Sequence, residues 1–372
     1  MIIRFLNISF LIGMLSAISC SSSRTEVIED KKEIVKVVEK EKPIIDDKKD
    51  PIESGIPVLG HGGDSDFKTI PVPALLDEGM EWEFQEDLSD DFEYTFEPST
   101  TKTNFGNNKW YNFYHANWPG PKPTIWKHEN VSVSDGDLQI KTTRKNGEML
   151  TFKSGSNSFT KKATRLGCVT SNKRVLYPVY VEARVKVADA FFASDIWMLS
   201  PDDTQEIDIL EAYGAQNPRN GQSWFSQRAH LSHHVFIRKP FADYQPKDAS
   251  TWYKDPTGEY PFWSGKWVRT GVYWKSPTHL EYYLNGKLIK TLDHIDNKDG
   301  KDGIDPLAYT SPTKDKATRT GLSKEMDIII NTEVQSWNGA KDRLPTNKEI
   351  KDVEKHTFRV DWIRIFKPTE KK

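Results

Sequence analysis

Cysteine is nearly missing from this chain, with only Cys20 and Cys168 in 372 residues. If Cys20 is consumed by lipidation, as argued below, no disulfide is left to hold the fold. Excess charge of either sign is missing too. A formal net charge of −2 implies neither nucleic acid nor an anionic membrane surface as partner. Long apolar runs are absent beyond the first twenty residues, helical periodicity never persists for three turns, and no internal repeat is visible. What is abundant is aromatic: 12% of residues, with twelve Trp. Such side chains build cores, and Trp also stacks on the apolar faces of sugar rings.

The N-terminus reads as an export signal. Arg4 is followed by an apolar run from Phe5 to Ile18, too short for a membrane span. The run ends at Ala17-Ile18-Ser19-Cys20, which resembles a bacterial lipobox. A signal peptide over residues 1–19 and lipidation of Cys20 are therefore expected, giving an outer-membrane lipoprotein, with free secretion as the alternative. Residues 20–67 are rich in Lys, Glu and Asp and then Gly, the composition of a solvated linker. From about Ile70 the composition turns aromatic, so residues 68–372 are read as one catalytic-size domain. Cys168 falls in a strand-like stretch and is expected to be a buried small hydrophobe.

Strand patterns dominate that domain. Leu138–Thr143, Val179–Val187, Asp195–Leu199, Glu206–Ala212, Trp267–Trp274, Asp327–Asn331 and Phe358–Phe366 alternate or run apolar, and Asn285-Gly286 splits Leu280–Leu292 as a hairpin turn would. The pattern predicts an all-β sandwich of two antiparallel sheets.

The run Glu206-Ile207-Asp208-Ile209-Leu210-Glu211 is the most informative segment. Side chains alternate along a strand, so Glu206 and Asp208 share a face and Glu211 falls on the other. One extra residue between Asp208 and Glu211, a β-bulge, puts all three carboxylates on one side. The structural alternative is an exposed strand with outward charges. Three acids on one face repel one another, which favours chemistry over decoration. Two carboxyl groups are what cleavage of a glycosidic bond requires, one to attack or activate water and one to protonate the leaving oxygen. Neighbouring charge is expected to keep Glu211 protonated.

With Trp197 upstream and Ala212-Tyr213-Gly214 downstream, this segment resembles the signature of glycoside hydrolase family 16. Further stretches strengthen the likeness: Asp195–Ser200, Asp203–Gln205, His233–Arg238, Asp243–Asp248 and Asp327–Glu333 resemble secreted β-agarases of marine Bacteroidetes. The resemblance implies a β-jelly-roll sandwich with a concave cleft and a retaining endo-hydrolase of β-1,4 linkages in agarose. It implies Glu206 as nucleophile, Glu211 as acid/base and Asp208 as assisting acid. It also places Trp118, Trp197, His234, Arg238, Glu333 and Trp337 against substrate. The expected partner is agarose or a related red-algal galactan, bound by a monomer. A structural Ca²⁺ on the convex face is a further implication, with Asp361 as the side-chain ligand and no catalytic cofactor. Rival readings are a porphyranase or κ-carrageenase acting on a sulfated galactan, or a non-catalytic glycan-binding surface protein.

Overall fold

A computed structural model describes residues 65–216 and 221–371. The signal peptide, Cys20 and the linker up to residue 64 lie outside the described residues. Two antiparallel sheets make the domain, as the alternation patterns require. The cleft sheet has nine strands. Its path runs Phe241–Tyr244, Ala229–Arg238, Gln205–Tyr213, Ala193–Leu199, Met326–Glu333, Cys168–Val175, Trp110–Tyr111 and Asn104–Phe105, with Trp252–Tyr253 paired to Ala229–Arg238. The outer sheet has eight, centred on Trp267–Ser276, Val179–Lys186 and Thr357–Glu370. All the sequence-predicted strands are present. Asn285 and Gly286 sit at φ 50° and 75°, the two positive angles of a type I′ hairpin turn. Among the described residues the four α-helices span only four or five residues each. No helix among the described residues is long and apolar enough to cross a membrane.

The core lies between the sheets. Ile196, Met198, Ile207 and Leu210 from the cleft sheet meet Val181, Ala183, Val272 and Ile363 from the outer one, all at 1% exposure or less. The reverse faces of the cleft-sheet strands are thereby left free to carry polar side chains. Cys168 is fully buried, as expected of a small hydrophobe. One boundary shifts: the linker reading ran through Phe67, whereas Ser65–Lys68 forms a 3₁₀ turn and Phe67 is buried against Phe84 and Trp362. The Phe67 ring, packed on Phe84 and Trp362, helps to hold that segment on the domain.

Asp361 lies on the outer sheet, where Arg184 Nη1 donates to its Oδ2 at 2.5 Å. A guanidinium therefore pairs with this carboxylate, and the calcium site expected from the resemblance would take its remaining ligands from backbone carbonyls.

Candidate active site

The bulge is present and can be located. On one side of the acidic strand Gln205–Tyr213, Asp208 pairs with Trp197 and Leu210 with Ile196, which leaves Ile209 as the extra residue. On the other side Glu206, Asp208 and Glu211 pair with His234, Ser232 and His230. Five residue steps on the bulged strand thus match four on each neighbour, about 13 Å between the Cα atoms of Glu206 and Glu211. A bulge frees backbone groups from the ladder, and here the Ile209 carbonyl accepts a hydrogen bond from Thr270 Oγ1 of the outer sheet at 2.8 Å. At the strand's end, Gly214 approaches the backbone of Ala188 and Ala190 so closely that a Cβ would lie 2.3 Å from either carbonyl oxygen.

On the cleft face the pairing sets three rows: Leu199, Glu206 and His234; Trp197, Asp208 and Ser232; Asp195, Glu211 and His230. The next strand extends the third row with Asn331, and Glu333 stands opposite Ala193. A cleft of about 820 Å³ covers these rows. All nine residues assigned to catalysis or substrate from sequence line it: Trp118, Trp197, Glu206, Asp208, Glu211, His234, Arg238, Glu333 and Trp337. Trp118 is 45% exposed and meets Trp126 and Tyr114 edge to face. Trp197 is fixed by a bond from its Nε1 to Asn331 Oδ1 at 2.5 Å and by stacking on Tyr114. Arg238 lies over the Phe236 ring at 4.7 Å.

Electrostatics divide the acids. His234 Nε2 stands 3.5 Å from Asp208 and 3.9 Å from Glu206, while its Nδ1 bonds Asp243 at 2.8 Å. Burial pulls this imidazole down, but Glu206, Asp243 and Asp208 outweigh it and push it up to about 10. Protonated His234 facing the two carboxyl groups makes Glu206–Asp208–His234 an ion-paired cluster, although their donor atoms also lie close enough together to hold a cation. Burial, and then the Asp208 charge, hold Glu206 well above the usual carboxylate range. Asp208 is raised as well, chiefly by burial.

Glu211 behaves differently. Burial raises it, but His230 Nδ1 at 2.7 Å and the Tyr213 hydroxyl both bond its carboxylate, and the balance lowers it. The expectation of a protonated Glu211 is therefore reversed in the free site. These two partners are invisible in a reading that weighs only the acids. Sequence reasoning also passed over Asp195, Asn331, Asp243 and Trp252. The signal for His230 was available as a period-two repeat with His234 in the run His230-Leu231-Ser232-His233-His234. His233, on the opposite face, is buried against the Ile304 carbonyl and held down to about 3.

Known proteins resemble the chain closely. The family model described as Beta-porphyranase A-D, GH16 domain, matches residues 82–368. A β-agarase of Phocaeicola plebeius is 50% identical over 302 residues, covering 81% of this chain and 90% of that protein. β-Agarase B of Zobellia galactanivorans is 47% identical over 320 residues, covering 82% and 84%. The crystal structure of inactivated mutant β-agarase B in complex with agaro-octaose superimposes with a TM-score of 0.71 at 47% identity, over 82% of this chain and all of the other. β-Porphyranase B of Phocaeicola plebeius is 26% identical over 319 residues, covering 78% and 86%.

Proposed function

The chain belongs to glycoside hydrolase family 16, and from that membership we propose that it is an endo-acting, retaining β-agarase, which cuts internal β-1,4 linkages of agarose to neoagaro-oligosaccharides. The observation that carries the choice of a neutral galactan is the scarcity of cationic side chains in the cleft. Its lining holds seven carboxyl groups, Asp195, Asp203, Glu206, Asp208, Glu211, Asp243 and Glu333, and among the described residues Arg238 is its one Lys or Arg. Recognition of a sulfated chain calls for several Arg or Lys forks. The higher identity to β-agarases than to the porphyranase supports the same choice.

In this reading Glu206 is the nucleophile. In the free site Glu206 holds the proton of this pair, so Asp208 has to take it over as substrate binds, which leaves Glu206 ionised for attack on the anomeric carbon. Glu211 is the acid/base. It acquires its proton when a bound sugar displaces water from it, and His230 at 2.7 Å is placed to carry that proton. Once Glu206 is esterified its charge is gone, and Glu211 then activates water to release the product with retention.

Release of reducing ends from agarose, porphyran and κ-carrageenan tests the reading. Agarose is expected to be cleaved far faster than either sulfated polymer, and cleavage of only a sulfated polymer overturns it. Export and anchoring by lipid on Cys20 complete the proposal, supported by the lipobox-like sequence alone. Labelled palmitate should enter the wild type and not a Cys20→Ala variant, and equal labelling of both excludes that anchor.

A further inference from the structure

Asp195 has no role in the reading above, yet it sits in the same row as Glu211. It pairs with Glu211 on one side and Asn331 on the other, so its side chain faces the cleft, which it helps to line. The residue is 5% exposed. One carboxyl oxygen, Oδ2, accepts from Asn331 Nδ2 at 3.0 Å. The amide's orientation is fixed, because Trp197 Nε1 donates to Asn331 Oδ1 and forces Nδ2 towards Asp195. The other oxygen, Oδ1, is buried and has no hydrogen-bond partner in the protein.

A buried polar atom without a partner costs free energy, and native structures rarely keep one idle. Here the residue that carries it lines a cleft built for a polyhydroxylated chain. The groups whose charge acts on Asp195 are acids, Glu211 and Asp208 on the acidic strand and Glu333 on Met326–Glu333; the Cys168 thiol, the Tyr213 phenol and the His230 imidazole are the other titratable groups nearby. No Lys, Arg or His bonds it. His230 and Tyr213, the nearby donors, are both engaged by Glu211. An ionised Asp195 would sit uncompensated among like charges. A neutral carboxylic acid fits instead, with Oδ2 accepting from Asn331 and an O–H on Oδ1 left to donate. Burial, followed by the charges of Glu333, Glu211 and Asp208, drives the carboxyl in that direction.

We propose that Asp195 is a substrate-binding residue, a neutral acid whose Oδ1–H donates a hydrogen bond to a hydroxyl or ether oxygen of the sugar unit seated against Glu211. The proposal rests on the galactan-hydrolase reading and adds a specific donor to it. Asparagine can reproduce the pattern, accepting from Asn331 through Oδ1 and donating through Nδ2, whereas alanine cannot.

The test compares Asp195→Ala with Asp195→Asn on agarose. The alanine variant should lose about 10- to 100-fold in kcat/KM, and asparagine should rescue most of that loss. In a Glu206→Gln background, calorimetry with a neoagaro-oligosaccharide should show weaker binding for Asp195→Ala and recovered binding for Asp195→Asn. Two outcomes overturn the proposal: asparagine as damaging as alanine, which would mean that a charged carboxylate is required, or folded alanine protein that binds and turns over like its parent. If the alanine variant does not fold, the asparagine variant in the same background decides, since loss of oligosaccharide binding there also overturns it. Wild-type protein that leaves agarose intact sinks the agarase reading instead, and the same comparison is then read on the galactan that it does cleave.

Discussion

The two sheets treat buried charge in opposite ways. In the outer sheet Glu182 is fully buried and gripped by two guanidinia, Arg269 Nη2 at 2.9 Å and Arg364 Nε at 2.7 Å. Arg364, itself fully buried, spends its remaining donors on the carbonyls of Phe67, Ile70 and Pro71, and so ties the start of the domain to the sandwich. In the cleft sheet Asp195, Asp208, Glu211 and Glu333 crowd together with no Arg or Lys bonded to any of them. Matched charge in the first region fixes structure. The acids of the second are met by histidines or driven towards their neutral form, and their crowding holds carboxyl groups away from their ordinary protonation.

Breaking each cluster should separate activity from stability. The largest effect is expected from Glu206→Gln, which removes the nucleophile while keeping its shape. Turnover of agarose should fall by about 10⁴-fold or more. The melting temperature should hold or rise, because a carboxyl that burial already drives towards its neutral form is replaced by a permanently neutral amide. A clear drop in melting temperature would show that the cleft charges stabilise the fold after all. Arg364→Met should do the reverse. Glu182 loses one of its two partners and three backbone carbonyls lose their donor, at a cost of about 3–5 kcal/mol. The melting temperature should fall by roughly 10 °C, while turnover per folded molecule stays near wild type. Loss of turnover in fully folded Arg364→Met would couple the two sheets and erase the distinction.

The two regions also differ in how far they could be read in advance. The bulge was legible because parity along one strand is a local property: Glu206, Asp208 and Glu211 cannot share a face without an extra residue. Trp118, His234 and Arg238 were reachable through the family likeness of their surrounding stretches. Partners set by pairing between distant strands were not legible. Nothing near Glu211 in sequence announces His230 across the ladder, and Asp195 gains meaning only when register puts it beside Glu211 and Asn331. The Glu182–Arg269–Arg364 group is the extreme case, since its members come from three strands far apart in the chain. Trp252 shows the same limit. It was not distinguished from core tryptophans, yet it lines the cleft and stacks on His230 at 4.1 Å.

The smallest expected effect sharpens the contrast through pH. Burial, then Glu211 and Asp208, raise the Glu333 carboxyl to about 8 from an ordinary 4.5. The folded protein therefore binds a proton there that the unfolded chain releases above pH 4.5. Stability from this group is full below 4.5 and is lost as pH rises towards 8. His234, raised to about 10 from 6.5, acts in the next window: its contribution is full below 6.5 and is lost on the way to 10. The ligand-free enzyme should accordingly melt at progressively lower temperature from pH 5 to pH 10. Glu333→Gln cannot titrate, so its melting temperature should fall less between pH 5 and pH 8, by a few degrees at this size of domain. Some slope must persist, because Asp195, Glu206 and Asp208 are raised as well. Between pH 8 and pH 10 the variant and wild type should run parallel, since His234 is untouched. Calorimetric scans at pH 5, 8 and 10 check this. Identical slopes below pH 8 would mean that Glu333 is ionised in the free cleft and that the acids there are compensated in a way the geometry does not provide.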